Sequence, residues 1–189
     1  MTDPSDADLA ARAIGGDQTA YAALMTRHRD AVYRMARGAT GDADAALDVT
    51  QEAFVAAFAA LSRYDPARPF RHWLARIALN KARDHARRRA VRRFFARARP
   101  LDEALDAADP APTPEEAADD RRRLARARAA IAALPAALRE VLLLRGVEQM
   151  SQAETAAVLG IGEKAVETRL YRARRRLAET MRESAPPRV

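Results

Sequence analysis

The stretch that most restricts the fold is SQAETAAVLGIGEKAVETRLYRARRRL, residues 151–177. Ser151 and Glu154 stand in S-x-x-E spacing, a capping box in which each side chain can satisfy a free amide of a helix start. Ala156, four residues before Gly160, is small enough for a second helix to cross close by. Gly160-Ile161-Gly162 then breaks the helix, because glycine turns the chain without steric cost. In the following segment Val166, Leu170, Ala173 and Leu177 fall at i, i+4, i+7 and i+11, one apolar stripe. Lys164, Thr168, Tyr171, Arg172 and Arg175 project from the other side at about 100° per residue. A helix, a glycine turn and a helix with a basic outer face form the helix-turn-helix pattern, whose second helix enters the DNA major groove. A helical hairpin with a merely solvated charged side would not need all four features at once.

No run rich in Val, Ile, Thr and aromatics alternates as a strand does, so the expected fold is all-α. Aromatics are 5% of the 189 residues, which predicts small helical bundles with few large side chains. A net charge of +7 favours an anionic partner. The absence of cysteine excludes disulfides, thiolate nucleophiles and cysteine-bound zinc. Neither a basic-plus-apolar leader nor an 18-residue apolar run is present, which predicts a soluble cytoplasmic protein with no membrane insertion.

Residues 1–8 are polar and read as frayed, with a short helix from Leu9 to Ile14 ended by Gly15-Gly16. Asp17 can cap the next helix, whose inward residues are predicted as Tyr21, Leu24, Met25, His28, Val32 and Met35. His28 reads as a packed histidine, since no second ligand sits nearby. Gly41-Asp42 opens a helix to about Leu61, with Leu47, Phe54, Phe58 and Leu61 as its buried stripe. Asp42 and Asp44 are explained by the helix dipole more simply than by a metal. Asp44, Asp48, Gln51 and Val55 form a separate face, which spacing alone assigns to solvent in preference to a protein partner.

Ser62 to Arg71 reads as a loop, because Pro66 and Pro69 forbid a continuous helix. In the next helix Leu74, Ile77 and Ala78 point inward, while Arg76, Asn80, Arg83 and Arg87 share another face. Residues 76–99 carry ten Lys or Arg against one acid, Asp84. Trp73 borders that face and has two readings, a buried core residue or a platform that stacks an unpaired base between cations. Tyr64 and Phe70 could line the same place. Between Asp102 and Asp120 the composition inverts to eight acids, no Lys or Arg, and three prolines. Such a segment cannot bury a core and is expected to be an extended spacer; a negative strand seated in a partner's basic channel is the other reading. Past it, Arg121 to Ala133 reads as a basic helix. An apolar helix with Leu138, Val141, Leu142 and Leu144 is expected to pack under the helix-turn-helix. The division is therefore residues 1–96 as an N-terminal helical domain, 97–120 as linker, 121–183 as C-terminal domain and 184–189 as tail.

Three ordered blocks now carry a resemblance across nearly the whole chain. DADAALDVTQEAFVAAF is similar to the core-binding helix of bacterial extracytoplasmic-function (ECF) sigma factors. FRHWLARIALNKARDHARR resembles their promoter-melting helix, and LPAALREVLLLRGVEQMSQAETAAVLGIGEKAVETRLYRARRRL their C-terminal domain. The resemblance implies that Asp44, Asp48, Gln51 and Phe54 dock on core RNA polymerase, displacing the solvated reading of that face. It implies that Tyr64, Phe70, Trp73, Arg76, Asn80, Lys81, Arg83, Arg87 and Arg88 take and melt the −10 element. By the same carry-over Lys164, Thr168, Arg169, Tyr171, Arg172 and Arg175 read or clamp the −35 element. Gly162 stands where a proline is common and Glu167 where a lysine is common; Glu167 can accept from a cytosine amino group or repel phosphate.

The function so implied is promoter-specific initiation in a bacterial stress response, under an anti-sigma factor, with no cofactor, no metal and no homo-oligomer expected. No catalytic constellation is found: His28, His72 and His85 are scattered, and no Ser/His/Asp set or phosphate-binding glycine loop is present. The competing functions are a stand-alone helix-turn-helix repressor or activator, and a nucleic-acid hydrolase, for which no metal ligands assemble.

Overall fold

The computed structural model describes residues 3–97 and 115–183. The predicted linker core and the tail, residues 98–114 and 184–189, lie outside the described residues. Those described form eight α-helices and no strand: α1 Asp6–Ile14, α2 Gln18–Thr40, α3 Ala43–Ala59, α4 Phe70–Arg97, α5 Glu115–Ala133, α6 Ala136–Leu142, α7 Gln152–Leu159 and α8 Glu163–Glu183. A 3₁₀ turn, Leu61–Arg63, follows α3, and a π turn, Leu143–Val147, continues α6. None of these helices is long and apolar enough to cross a membrane.

The first correction concerns residues 5–8, which do not fray. Ser5 and Asp8 form a capping box, and α1 starts at Asp6. Asp3 and Asp6 each accept from Arg27 at 2.7 Å, which ties the chain start to α2. Asp17 caps α2 as expected, accepting from the amides of Thr19 and Ala20. Linker residues 115–120 are also not extended, since they are the first turns of α5.

In the N-terminal half α2 packs on α3 and α4, and α3 on α4. Its core mixes Leu24, Val32, Met35, Leu61, Phe70, Leu74 and Leu79 with a dense set of alanines. On α3 the buried face is Ala46, Val49, Thr50, Ala53, Phe54 and Ala57. Leu47, placed inside by spacing, is 44% exposed, and Met25 is 41% exposed. Small residues let α2 and α3 approach closely, so the large apolar residues are displaced to the rim.

The C-terminal half is held from two sides. Val141, Ala156 and Val166 make a small core beneath the helix-turn-helix. Leu143, Leu144, Met150 and Val158 belong instead to the large core of the N-terminal half. The apolar helix thus packs under the helix-turn-helix with Val141 and against α2 with the two leucines that follow. The π turn, one residue wider per turn than an α-helix, sits where that change of allegiance occurs. Gly38, on α2, faces Leu143 with no side chain of its own; a Cβ there would collide with the leucine.

His28 is buried beside Phe70, with Nε2 2.9 Å from Asp6 Oδ2. Burial, partly opposed by Asp6, pushes its pKa below the ordinary 6.5. A depressed histidine leaves stability intact above the unfolded value and loses it as pH falls toward the folded one, because only the unfolded chain then takes the proton. Thermal melting at a series of pH values should therefore show stability declining below pH 6.5, and His28→Asn should flatten part of that slope. His72, whose pKa burial also lowers, should account for some of the remainder.

Candidate nucleic-acid and polymerase interfaces

Three faces carry the residues expected to act. The helix-turn-helix is built as the sequence predicts. Ser151 accepts from the Glu154 amide at 3.1 Å, and Glu154 accepts from the Ser151 amide at 2.6 Å. The Ser151 amide first, then the Ser151 hydroxyl and the Arg71 guanidinium, draw the Glu154 pKa down to about 2. Gly160 ends α7 in the left-handed region, at φ 66°. On α8, Val166 and Ala173 are fully buried, and Leu170 and Leu177 are half-buried. Lys164, Thr168, Tyr171, Arg172 and Arg175 all face solvent, whereas Arg169 is half-buried. Two of the cations are already engaged on their own helix, Lys164 with Glu167 at 3.0 Å and Arg175 with Glu179 at 2.9 Å. Glu167 therefore holds Lys164 in place in the free protein. Arg172 has no such neighbour and reaches outward.

The second face is the long helix α4. Pro69 precedes its first residue, Phe70, and the preceding loop folds back through the Tyr64 hydroxyl, which donates to the Arg68 carbonyl at 2.7 Å. Tyr64, Phe70 and Trp73 form an aromatic cluster with ring centroids 5.1–5.5 Å apart. Its members are not equivalent. Phe70 is 1% exposed and forms the inner wall, whereas Tyr64 and Trp73 are half-buried. Trp73 lines a cleft of about 420 Å³ together with Pro69, His72 and Arg76 on one side and Ala153, Ala157 and Val158 of α7 on the other. The ring of this tryptophan packs on the core while one edge reaches the cleft, so it is neither fully buried nor fully exposed.

Arg76, Asn80, Arg83, Arg87 and Arg88 are exposed along α4, and Lys81 is half-buried. Arg87 pairs with Asp84 at 3.1 Å, and Arg88 reaches Glu52 of α3 at 2.8 Å. Arg83 is bound differently. Its Nε and one terminal nitrogen donate to the two carboxylate oxygens of Glu140, on α6, and its other nitrogen donates to Asn80 at 3.0 Å. Spacing gives no warning of Glu140, which lies 57 residues away. The same holds for Arg71, which donates to Glu154 at 2.8 Å across 83 residues.

The third face joins α2 and α3. Asp44, Asp48 and Gln51 are exposed in a row. Beside them Met25, Leu47, Phe54, Val55 and Phe58 line an open groove of about 540 Å³. Val55 is 70% exposed, so an acidic row borders an apolar trough. Phe54, 5% exposed, contributes one ring edge and otherwise belongs to the core. Met25 and Leu47, assigned to the core by spacing, are the residues that make this trough. Among the described residues no group of three or more His, Cys, Asp or Glu could hold a metal ion.

Comparison with known proteins agrees with this layout. The family model for Sigma-70 region 2 matches residues 24–92, and that for Sigma-70 region 4 matches residues 124–177. The chain is 44% identical over 180 residues to the RNA polymerase sigma factor CnrH of Cupriavidus metallidurans, covering 93% of this chain and 94% of that one. It is 35% identical over 167 residues to the ECF RNA polymerase sigma factor SigE of Mycolicibacterium smegmatis, covering 87% of this chain and 63% of the relative. Among solved structures, CnrH in complex with the cytosolic domain of CnrY superposes with a TM-score of 0.68 at 37% identity, over 96% of this chain and 100% of that one. The sigma factor RpoE of Bartonella quintana, bound to the anti-sigma factor NepR, shares the fold with a TM-score of 0.66 at 20% identity, over 87% of this chain and 98% of that one. A match to both sigma regions in order, one on the half that carries the aromatic cleft and one on the helix-turn-helix, leaves a stand-alone repressor or activator unsupported. The chain belongs to the ECF sigma factors of RNA polymerase.

Proposed function

We propose that the three faces divide the work of promoter recognition among themselves. The acidic row Asp44, Asp48 and Gln51, with the Phe54 edge, docks on core polymerase. Its trough of Met25, Leu47 and Val55 suits a partner helix that brings apolar side chains and cations together. On duplex DNA, α8 enters the major groove upstream: Arg172, Arg169, Lys164 and Arg175 hold phosphates or bases at the −35 element, with Thr168 and Tyr171 between them. Phosphate contacts set the register and base contacts select the sequence.

The Trp73 cleft and the cations of α4 then take the −10 strand. An unstacked base gains about 1–3 kcal/mol on an aromatic platform, which offsets part of the melting cost. Trp73 and Tyr64 offer ring surface, Phe70 supports them from behind, and Arg76, Lys81, Arg83, Arg87 and Arg88 line the strand's path beside Asn80. The polymerase supplies the chemistry, so this chain acts by binding alone and works in the cytoplasm. Residues 1–96 and 121–183 act as the two DNA-directed domains, with 97–120 joining them. Since the structural neighbour RpoE is bound to the anti-sigma factor NepR, and CnrH to the cytosolic domain of CnrY, control of this chain by an anti-sigma factor fits the same reading. The observation that carries the proposal is the pairing of an aromatic cleft with a row of cations on α4, separate from the groove-reading helix.

Run-off transcription with purified core polymerase on a promoter panel tests it, and the expected result is a promoter-dependent transcript. Trp73→Ala should keep core binding and lower permanganate reactivity of melted thymines about tenfold or more, the equivalent of one stacked base; unchanged reactivity would remove Trp73 from the mechanism. Arg172→Ala should weaken binding to the upstream duplex and make the slope of log K against log salt shallower by about 0.9 for each phosphate no longer neutralised. An unaltered slope would place Arg172 off the DNA.

A further inference from the structure

Helix α4 carries a second group of cations, turned away from the row assigned to the −10 strand. At about 100° per residue, His85, Arg89 and Arg93 lie on the side of the helix opposite Arg76, Asn80, Arg83 and Arg87. The two groups also differ in their partners. Arg83, Arg87 and Arg88 are paired with Glu140, Asp84 and Glu52, whereas His85, Arg89 and Arg93 make no ion pair among the described residues. Instead they line a cavity of about 180 Å³, together with Thr40 at the end of α2 and with Ala132 and Arg139 at the α5–α6 corner. Arg139 is 9% exposed and likewise makes no ion pair among the described residues. Its Nη1 donates to the carbonyls of Ala132 and Leu134 at the end of α5, and its Nε is buried without a hydrogen-bond partner. Holding the end of α5 therefore accounts for one of its nitrogens and leaves the others unexplained. Burial also pushes the Arg139 pKa below the usual arginine value, because a sunken cation without an anion is held at a cost.

We propose that this cavity binds a diphosphate group, held by Arg89 and Arg93 from α4 and by Arg139 from the α5–α6 corner, with His85 as a further donor. A guanidinium gives phosphate oxygens two parallel hydrogen bonds. Three permanent cations exceed the charge of about −1.5 to −2 on a single phosphate monoester, and a diphosphate brings the balance closer. The volume lies below the roughly 300 Å³ at which pockets for whole small molecules begin. It suits the inorganic ion, or the diphosphate end of a nucleotide whose base stays outside. Apart from Thr40 the remaining wall is alanine, and no carboxylate lines it. On their other side Arg89 and Arg93 border a wider cleft shared with Asp42 and Asp48, where an anion would be repelled. An extended nucleic-acid backbone matches a row of exposed cations; a guanidinium sunk as deeply as Arg139 matches a compact ion that enters the cavity. A ligand that binds only the folded chain raises its stability by mass action.

Isothermal titration of the full chain with sodium pyrophosphate, at constant ionic strength and without divalent metal, tests the site. One saturable site per chain is expected, with a thermal midpoint that rises as pyrophosphate is added. Because Arg139 also holds the end of α5, the exposed arginines carry the test. Arg89→Ala and Arg93→Ala should each weaken binding about tenfold or more, as the loss of a charge-assisted hydrogen bond does. Arg174→Ala, which removes the same charge from an exposed position on α8, should leave binding unchanged. Guanosine diphosphate and adenosine diphosphate separate the two sources of the group. Tighter binding of either nucleotide than of pyrophosphate identifies a nucleotide as the ligand, and the reverse order identifies the free ion; both support the site. Failure to find a saturable site overturns it, as does inorganic phosphate binding as tightly as pyrophosphate, or an equal loss in Arg174→Ala. If a short DNA duplex displaces pyrophosphate and is itself bound about tenfold more weakly by Arg93→Ala, these cations belong to a DNA path and the proposal is overturned too.

Discussion

Leu143 rests against the bare backbone of Gly38, and the relation of the two halves depends on that contact. A glycine inside a helix costs about 1 kcal/mol relative to alanine, so its place in α2 needs a compensating gain. The gain is close approach. With no Cβ at 38, the leucine side chain reaches the helix surface, and Leu144 and Met150 follow it into the core of α2, α3 and α4. The ion pairs between the halves surround this apolar seam, and none of them would hold two exposed surfaces together unaided.

Charge is distributed to match. The chain carries a surplus of cations, yet the joint between its halves is where C-terminal acids meet N-terminal bases. Glu154 shows how little side chain is needed. One of its oxygens takes the Ser151 amide and so begins the first helix of the helix-turn-helix, while the other takes Arg71 across the joint. The start of the helix-turn-helix and the edge of the proposed strand-binding face are therefore fixed by one carboxylate. On the outer side, the same economy leaves Lys164 and Arg175 tethered to neighbouring glutamates, ready to exchange an exposed carboxylate for phosphate at small cost.

Much of this is legible in the sequence where the signal is local. The Ser151–Glu154 box, the left-handed Gly160, the Asp17 cap and the buried Val166 and Ala173 follow from spacing and backbone preference alone. The N-terminal box at Ser5 and Asp8 is equally local, but the polar composition around it hides its spacing. Elsewhere the signal is absent for a physical reason. In an alanine-rich helix the buried face is the one that permits close packing, so Leu47 and Met25 lie at the surface while Ala46, Val49 and Ala53 lie inside. An apolar count points the wrong way there, and the exposed pair becomes part of the candidate polymerase face. Phe70 and Trp73, three residues apart on one helix, differ in burial only because other elements close over the first. Glu140 opposite Arg83 depends on how two halves meet, which no single-chain periodicity encodes.

The π turn at Leu143–Val147 has a consequence for how this protein tolerates insertion and deletion. A π turn is a helix turn holding one residue more than the α-helical register. Take one residue out of that turn and it closes to α-helical width while sweeping nearly the same total angle, so the facing of the segments on either side is kept. The same loss a few residues earlier, inside α6, has no such slack: it rotates what precedes it by about 100° and carries Val141 away from its neighbours. Chain length is thus forgiving at the wide turn and exacting just before it.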